Sequence, residues 1–348
     1  MTPQIISYPR MGNYHIVLDK AVKILFPSDT TVITPPPITA KTLEIGTCHS
    51  PENVCSPFKY NIGNFVEVLE KGANVLLQTG TGCIFGYYGD VQEKILQDLG
   101  YEFTFLCFGR GSTQKAYDRY REIGGKLTFP AVLKAIAHVF SAMGALDRFE
   151  YFMRENIAFE TVTGSFENLH RQFIYDLERA KLHQMPLFWH RYKNKLTAIK
   201  LDKPKKPMRV GLVGELFTLM EPAASFNIER ELTRHGVSVS RKMNVSYLTG
   251  SHTKKSMRVA RGYLSHPPGA NGADSVAQAL QYANAGYDGV IHLQSFGCTP
   301  ELNVIPALNQ VSHDTGIPVL HMSFDTHTGE AGVQTRLEAF VDMLEMRR

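Results

Sequence analysis

The chain has little of what would announce a function directly. Its 348 residues include only five cysteines and a single tryptophan. No two cysteines stand at the C-x2-4-C spacing by which structural zinc sites usually pair their ligands. An odd number of thiols also rules out a fully paired disulfide scheme. The strand-end turn Val213-Gly214-Glu215 fits neither G-x-G-x-x-G nor the Walker pattern, so no nucleotide site of its own is expected. No uninterrupted apolar run reaches bilayer length, and no membrane association is expected. The opening MTPQIISYPRMGNY lacks the basic and apolar regions of a secretory signal. A cytoplasmic location follows, in which cysteines stay reduced and are weighed first as metal ligands, nucleophiles or core residues. A strong excess of one charge is missing too: 37 basic against 33 acidic residues give a net +4, too mild to call for nucleic acid. The basic stretch Lys203 to Arg209 (KPKKPMR) carries two prolines and reads as a solvated linker.

Hydrophobic content is 43% and charged content 20%, enough apolar mass for real cores. The length calls for two or three domains. In residues 1–111 strand patterns alternate with helical ones. QIISY, TVIT, ANVLLQ and FTFLCF read as strands, and Pro35-Pro36-Pro37 stops the second. Residues 112–206 read as helix after helix, with apolar positions at three- and four-residue spacing, ending in the linker. Residues 207–348 return to alternation, with MRVGLV, DGVIHL and PVLHMSF as strands. The expected fold is therefore α/β: two Rossmann-like or flavodoxin-like parallel-sheet domains with a helical segment between them.

Three cysteines occupy one kind of place. Cys83 follows ANVLLQ through the turn Thr79-Gly80-Thr81-Gly82, and Cys298 follows DGVIHL through Gln294-Ser295-Phe296-Gly297. Cys55 stands just before Ser56-Pro57 and a helical pattern, and proline suits a first helical turn. In parallel α/β sheets the turns after the strands gather on one edge, where ligands bind. Helix starts there favour thiolate over thiol and stabilise an anionic thiolate-bound cluster. Gly82 and Gly297 let backbone approach a bulky inorganic group. Isolated thiols or small core residues are the plainer alternative, and spacing does not exclude zinc. Cys107, inside FTFLCF, reads as an inert core thiol. Cys48, in what reads as the loop Gly46 to Ser50, is left undecided.

The segments SYPRMGNY, PPPITAKT, SPENVCSPFKYNIGNFVEVLE, GTGCIFGYYG, YDGVIHLQSFGCTPELN and MSFDTHTGEAGVQTRLEAF carry a resemblance across nearly the whole chain. The sequence resembles the 2-hydroxyacyl-CoA dehydratase family, in particular its small stand-alone activase-like and double-cubane-related members. That resemblance implies a [4Fe–4S] cluster in the cleft between two α/β domains, with Cys55, Cys83 and Cys298 as its cysteine ligands. It also implies low-potential electrons from an ATP-hydrolysing iron–sulfur activase, used for reductive or radical chemistry on a small or acyl-CoA substrate. A homodimer or a related second subunit, and oxygen sensitivity, belong to the same expectation. A sister group implies a double-cubane [8Fe–9S] cluster as the alternative cofactor. An electron-transfer or cluster-carrier protein without its own substrate is the alternative function. Many relatives have an arginine after the cysteine of the second motif, where this chain has Ile84.

Other constellations are weighed against plainer readings. Glu215 and Glu221 flank the end of MRVGLVGE and are candidate proton carriers, against a role at helix starts. His321, Asp325 and His327 surround one strand end as candidate metal ligands, against ordinary turn polarity. Lys59 follows Cys55 by four residues and would bring positive charge near a cluster. Arg336 and Glu338 are expected to pair on a helix surface. Three cysteines leave one iron of a cubane open, and Cys48 is the extra thiol that would close it.

Overall fold

The structure is a computed structural model and describes residues 3–79, 87–108, 113–248 and 252–348. It divides into two compact units, Met1–Ser141 and Ala142–Arg348. The first holds β1 (Ile5–Ser7), β2 (Thr31–Val32), β3 (Val75–Thr79) and β4 (Thr104–Phe108). The second holds β5 (Met208–Gly214), β6 (Val237–Arg241), β7 (Gly289–Ser295) and β8 (Val319–Phe324). Every pairing is parallel, and the orders are β2-β1-β3-β4 and β6-β5-β7-β8. Both sheets thus share one order. Each starts in the middle, steps out to one side, then returns past its first strand to build the other.

Sequence periodicity explains most of this. All residues of β7 are buried, as expected of a strand covered on both faces. The edge strand β6 (VSVSR) went unread because its serines break the apolar run. Ser238 and Ser240 are nonetheless buried, and Tyr282 donates its hydroxyl to the Ser240 carbonyl at 3.0 Å. Residues 129–159 form one helical stretch long and apolar enough to cross a membrane by length and composition alone, although Lys134, His138, Asp147 and Arg148 interrupt it. Its second part is explained by the core of its own unit: Ala142, Met143, Ala145, Leu146 and Phe149 are all essentially inaccessible. Phe149 stacks on Phe173 with centroids 4.2 Å apart, and Phe173 meets Tyr192 edge-on at 5.1 Å. The linker is not wholly solvated either, since Lys203 donates to the Glu155 carbonyl and to Asn156 Oδ1, both at 3.0 Å.

The Cys48 segment is helical, not a loop. Thr39 and Thr42 form a reciprocal capping box at the start of helix Ala40–His49, and Cys48 lies exposed in its last turn. That helix packs backbone to backbone on helix Ser56–Glu70. A Cβ on Gly46 would lie 1.8 Å from the Lys59 carbonyl oxygen, and one on Gly63 would lie 1.9 Å from that of Thr42. Two glycines therefore set the separation of the two helices, and with it the seat of the helix that Cys55 begins. Gly63→Ala should lower the first thermal unfolding transition, with a loss of roughly 1–3 kcal/mol expected for overpacking. An unchanged transition in calorimetry would show that the two helices separate at no cost.

Candidate active site

Strand order fixes where a site can form. In an open parallel sheet, ligands bind at the carboxyl ends of the strands, where neighbouring connections leave in opposite directions. In the second unit that point lies between β5 and β7. Gly214 ends β5 at φ 138°, and a Cβ there would lie 1.8 Å from the Leu293 carbonyl oxygen. The Glu215 N–H donates to that same carbonyl at 2.8 Å. The turn after β5 is thereby pressed against the end of β7.

Cys298 stands on the turn that follows β7. Gly297 takes φ 80°, the Cys298 N–H returns to the Ser295 carbonyl at 3.0 Å, and Phe296 donates to Phe324 of β8 at 2.7 Å. Cys298 is half-buried and occupies the N-cap of the short helix Thr299–Leu302, with Pro300 in the first turn.

The candidate carboxylates divide between structural tasks. Glu215 accepts the Phe217 and Thr218 N–H groups at 2.8 Å each and the Thr218 hydroxyl at 2.7 Å. Burial pushes its carboxyl above the usual range, and nearby Glu301 adds to the shift, against the opposing hydrogen bonds. Glu221 is buried and accepts the Ala223 N–H at 3.2 Å. Both begin helices, the plainer of the two readings.

Sequence reading missed a buried network behind Cys298. Glu301 and His292 are both fully buried. Glu301 accepts from the Ser275 hydroxyl at 2.9 Å and from Asn271 Nδ2 at 3.2 Å, and its Oε2 lies 2.9 Å from His292 Nε2. Asn271 also donates to the Gly214 carbonyl at 2.6 Å, tying the network to the end of β5. His292 Nδ1 lies 3.0 Å from Nδ1 of His321, its partner in the β7–β8 register. His321 Nε2 lies 2.8 Å from Asn309 Oδ1. The signals were present in DGVIHL and CTPE: a histidine on a buried strand, and a glutamate where the helix returns to it.

The other histidine-end candidates do not form a metal site. Among the described residues, no group of three or more His, Cys, Asp or Glu side chains is placed to hold a metal ion. Asp325 instead accepts the His327 N–H at 2.9 Å and the Thr328 hydroxyl at 2.8 Å, making a local turn. Arg336 donates to the His321 carbonyl at 2.5 Å, which corrects its expected pairing with Glu338.

The first unit offers Cys55. It is half-buried at the N-cap of helix Ser56–Glu70, with Pro57 in the first turn. Its Sγ lies 2.8 Å from the Tyr88 hydroxyl. Lys59, one turn on, is buried. At the end of β1, the Arg10 N–H donates to buried Asn64 at 2.9 Å, and Arg10 Nη1 donates to the Pro35 carbonyl at 3.0 Å. The proline run is thus tied to the β1 end. Cys107 is half-buried in β4 against the Phe58, Phe65 and Phe105 core, as expected of a core thiol. Cys83 follows β3 but lies outside the described residues.

Fold and site together define an α/β protein of two like-ordered parallel sheets, with a cysteine-bearing turn at the switch point of the second. Residues 214–344 match the family model described as 2-hydroxyglutaryl-CoA dehydratase, D-component, so the second sheet from the end of β5 onward is similar to that family. The matched stretch includes Glu215, Glu221, His292, Cys298, Glu301 and His321, and does not extend to Cys55 or Cys83. No curated protein matches the chain at a significant level.

His321 gives the network a pH signature. Burial, and then the neighbouring His292, push its pKa down from 6.5 to about 4. The unfolded chain takes up a proton near the higher value and the folded chain resists until the lower one. The stability held above the unfolded value is therefore lost as pH falls through this window. After allowance for solvent screening of a half-buried ring, the loss should be roughly 1–2 kcal/mol. Urea titrations of wild type and His321→Gln at several pH values check this. Parallel pH slopes for the two proteins would remove His321 as the source.

Proposed function

We propose that this chain is a dehydratase-type iron–sulfur component whose cluster is ligated by the thiolates of Cys55, Cys83 and Cys298. The observation that carries the reading is the placement of Cys298: half-buried, on a glycine turn at the switch point of the sheet, within the stretch that matches the D-component family. Cys55 supports it with the same local arrangement, a half-buried N-cap cysteine followed by Ser-Pro where Cys298 is followed by Thr-Pro. The donor chemistry fits an iron–sulfur group, since both described thiols sit at helix starts and neither is sealed in the core. When bound, a [4Fe–4S] cluster supplies one-electron chemistry at low potential.

The chain's own residues then have distinct tasks. Cys55 and Cys298 bind, each fixed by a proline-started turn. Gly297 shapes the approach to Cys298. The Glu301–His292 pair lies behind Cys298, where Glu301 and Leu302 donate their N–H groups to the Cys298 carbonyl at 3.1 and 2.9 Å and hold the turn. Without a nucleotide motif of its own, the chain would take its electrons from an ATP-hydrolysing activase, in a cytoplasmic setting. A small or acyl-CoA molecule would be the acceptor.

Anaerobic purification tests the reading. We expect a brown protein with broad absorbance near about 400 nm, about four irons and matching sulfide per chain. Ala at Cys55, Cys83 or Cys298 should each lower iron content severely, while Cys107→Ala should keep it. Cys48→Ser should leave iron content and the reduced-state EPR spectrum unchanged, which fits three protein thiolates and one open iron. Stoichiometric zinc without sulfide would refute the assignment.

A further inference from the structure

Tyr88 sets a polar atom against a proposed ligand sulfur. Its hydroxyl lies 2.8 Å from Cys55 Sγ. The phenol is placed by packing as well as by this contact. Its ring meets Phe58 edge-on, with centroids 5.0 Å apart and planes at 78°. Phe58 is 1% exposed and lies three residues beyond Cys55 on the same helix. The backbone next to Tyr88 is pinned from the other side, because a Cβ on Gly89 would lie 2.3 Å from Cys107 Sγ on β4. The hydroxyl is therefore delivered to the sulfur by a ring wedged against Phe58 and a glycine pressed on the sheet.

We propose that Tyr88 is a positioning residue for the Cys55 ligand, donating its O–H to the thiolate sulfur and raising the reduction potential of the group that Cys55 binds; this rests on the iron–sulfur reading above. The physical reason is general. A thiolate that accepts a hydrogen bond gives less electron density to its metal, and a reduced cluster, being the more negative state, gains most from the donor. Tyrosine suits this place because its phenol stays protonated at neutral pH, whereas a histidine or lysine would also bring charge. Tyr87 beside it is 74% exposed and serves as the neutral comparison.

The test compares wild type, Tyr88→Phe and Tyr87→Phe as anaerobically isolated full chains. Phe keeps the ring on Phe58 and removes only the oxygen. Iron and sulfide content is read first, then the midpoint potential by EPR-monitored titration. The Fe–S(Cys) stretching frequency is read last, in H2O and in D2O. We expect equal iron in all three. Tyr88→Phe should lower the ratio of reduced to oxidised protein at a fixed ambient potential about tenfold, a shift of about 59 mV for a one-electron couple. The D2O-sensitive part of the stretch should disappear with it, and Tyr87→Phe should behave as wild type. Equal iron with unchanged potential and unchanged D2O response overturns the role of Tyr88 alone. Iron lost only in Tyr88→Phe also overturns it, since Tyr88 would then govern assembly. No iron in wild type overturns the iron–sulfur reading and this inference together.

Discussion

Parallel pairing in a fixed order is the constraint on which the rest of this structure depends. Each sheet places its first and third strands side by side, so the chain leaves those two strand ends in opposite directions and opens a crevice between them. At the second sheet the strand ends are held by backbone contact, with the Asn271 side chain donating to the Gly214 carbonyl beside it. Gly214, at a φ that favours glycine, allows the β5 end to touch the Leu293 carbonyl, and Glu215 hydrogen-bonds the same oxygen. A side chain at 214 would push the β5 turn off β7. Cys298 inherits its position from this contact, because its own turn is the continuation of β7.

The polar core behind Cys298 follows from the same geometry. A glutamate and a histidine with no solvent exposure are costly unless every polar atom is answered. Here Glu301 is met by Ser275, Asn271 and His292, and His292 is met on its other nitrogen by His321. The partners come from separate elements: two adjacent strands, the short helix after Cys298, and the start of helix Gly272–Asn284. Such a network specifies how these elements dock more than it adds net stability. It therefore locks the Cys298 turn to the sheet with directional bonds where packing alone would tolerate slippage.

What was legible in the sequence depended on which physical signal each element carried. The strands ANVLLQ, MRVGLV, DGVIHL and PVLHMSF announced themselves because a parallel strand is buried on both faces and reads as an apolar run. β6 was silent because its alternating serines imitate a half-exposed strand, although every residue of it is buried. The helix bearing Cys48 was hidden because its glycine and threonines resemble a loop. The packing against Thr42 and Lys59 that makes that glycine necessary is a tertiary fact. Cys55 and Cys298 were readable from the proline two residues on, which marks a helix start locally. The Glu301–His292–His321 chain was not, because its members meet only when β7 and β8 fall into register.

The two N-cap cysteines break a local rule in the same way. Helix starts prefer Ser, Thr, Asp or Asn, whose side chains accept an otherwise unpaired N–H, and replacing such a cap typically costs about 1 kcal/mol. This chain uses that device elsewhere: Thr39, Glu215 and Glu221 all accept N–H groups of the helices they begin. At Cys55 and Cys298 the side chain makes no capping bond, although serine is nearly the same shape. Several other helix starts of the chain also lack a side-chain cap, among them Tyr14, Asn271 and Val304, so what the two cysteines share is the hydroxyl residue and proline that follow each. Sequences violate local preference where function requires it and compensate nearby. The proline in each first turn supplies that compensation, since it fixes the backbone of the helix start and has no N–H to be capped.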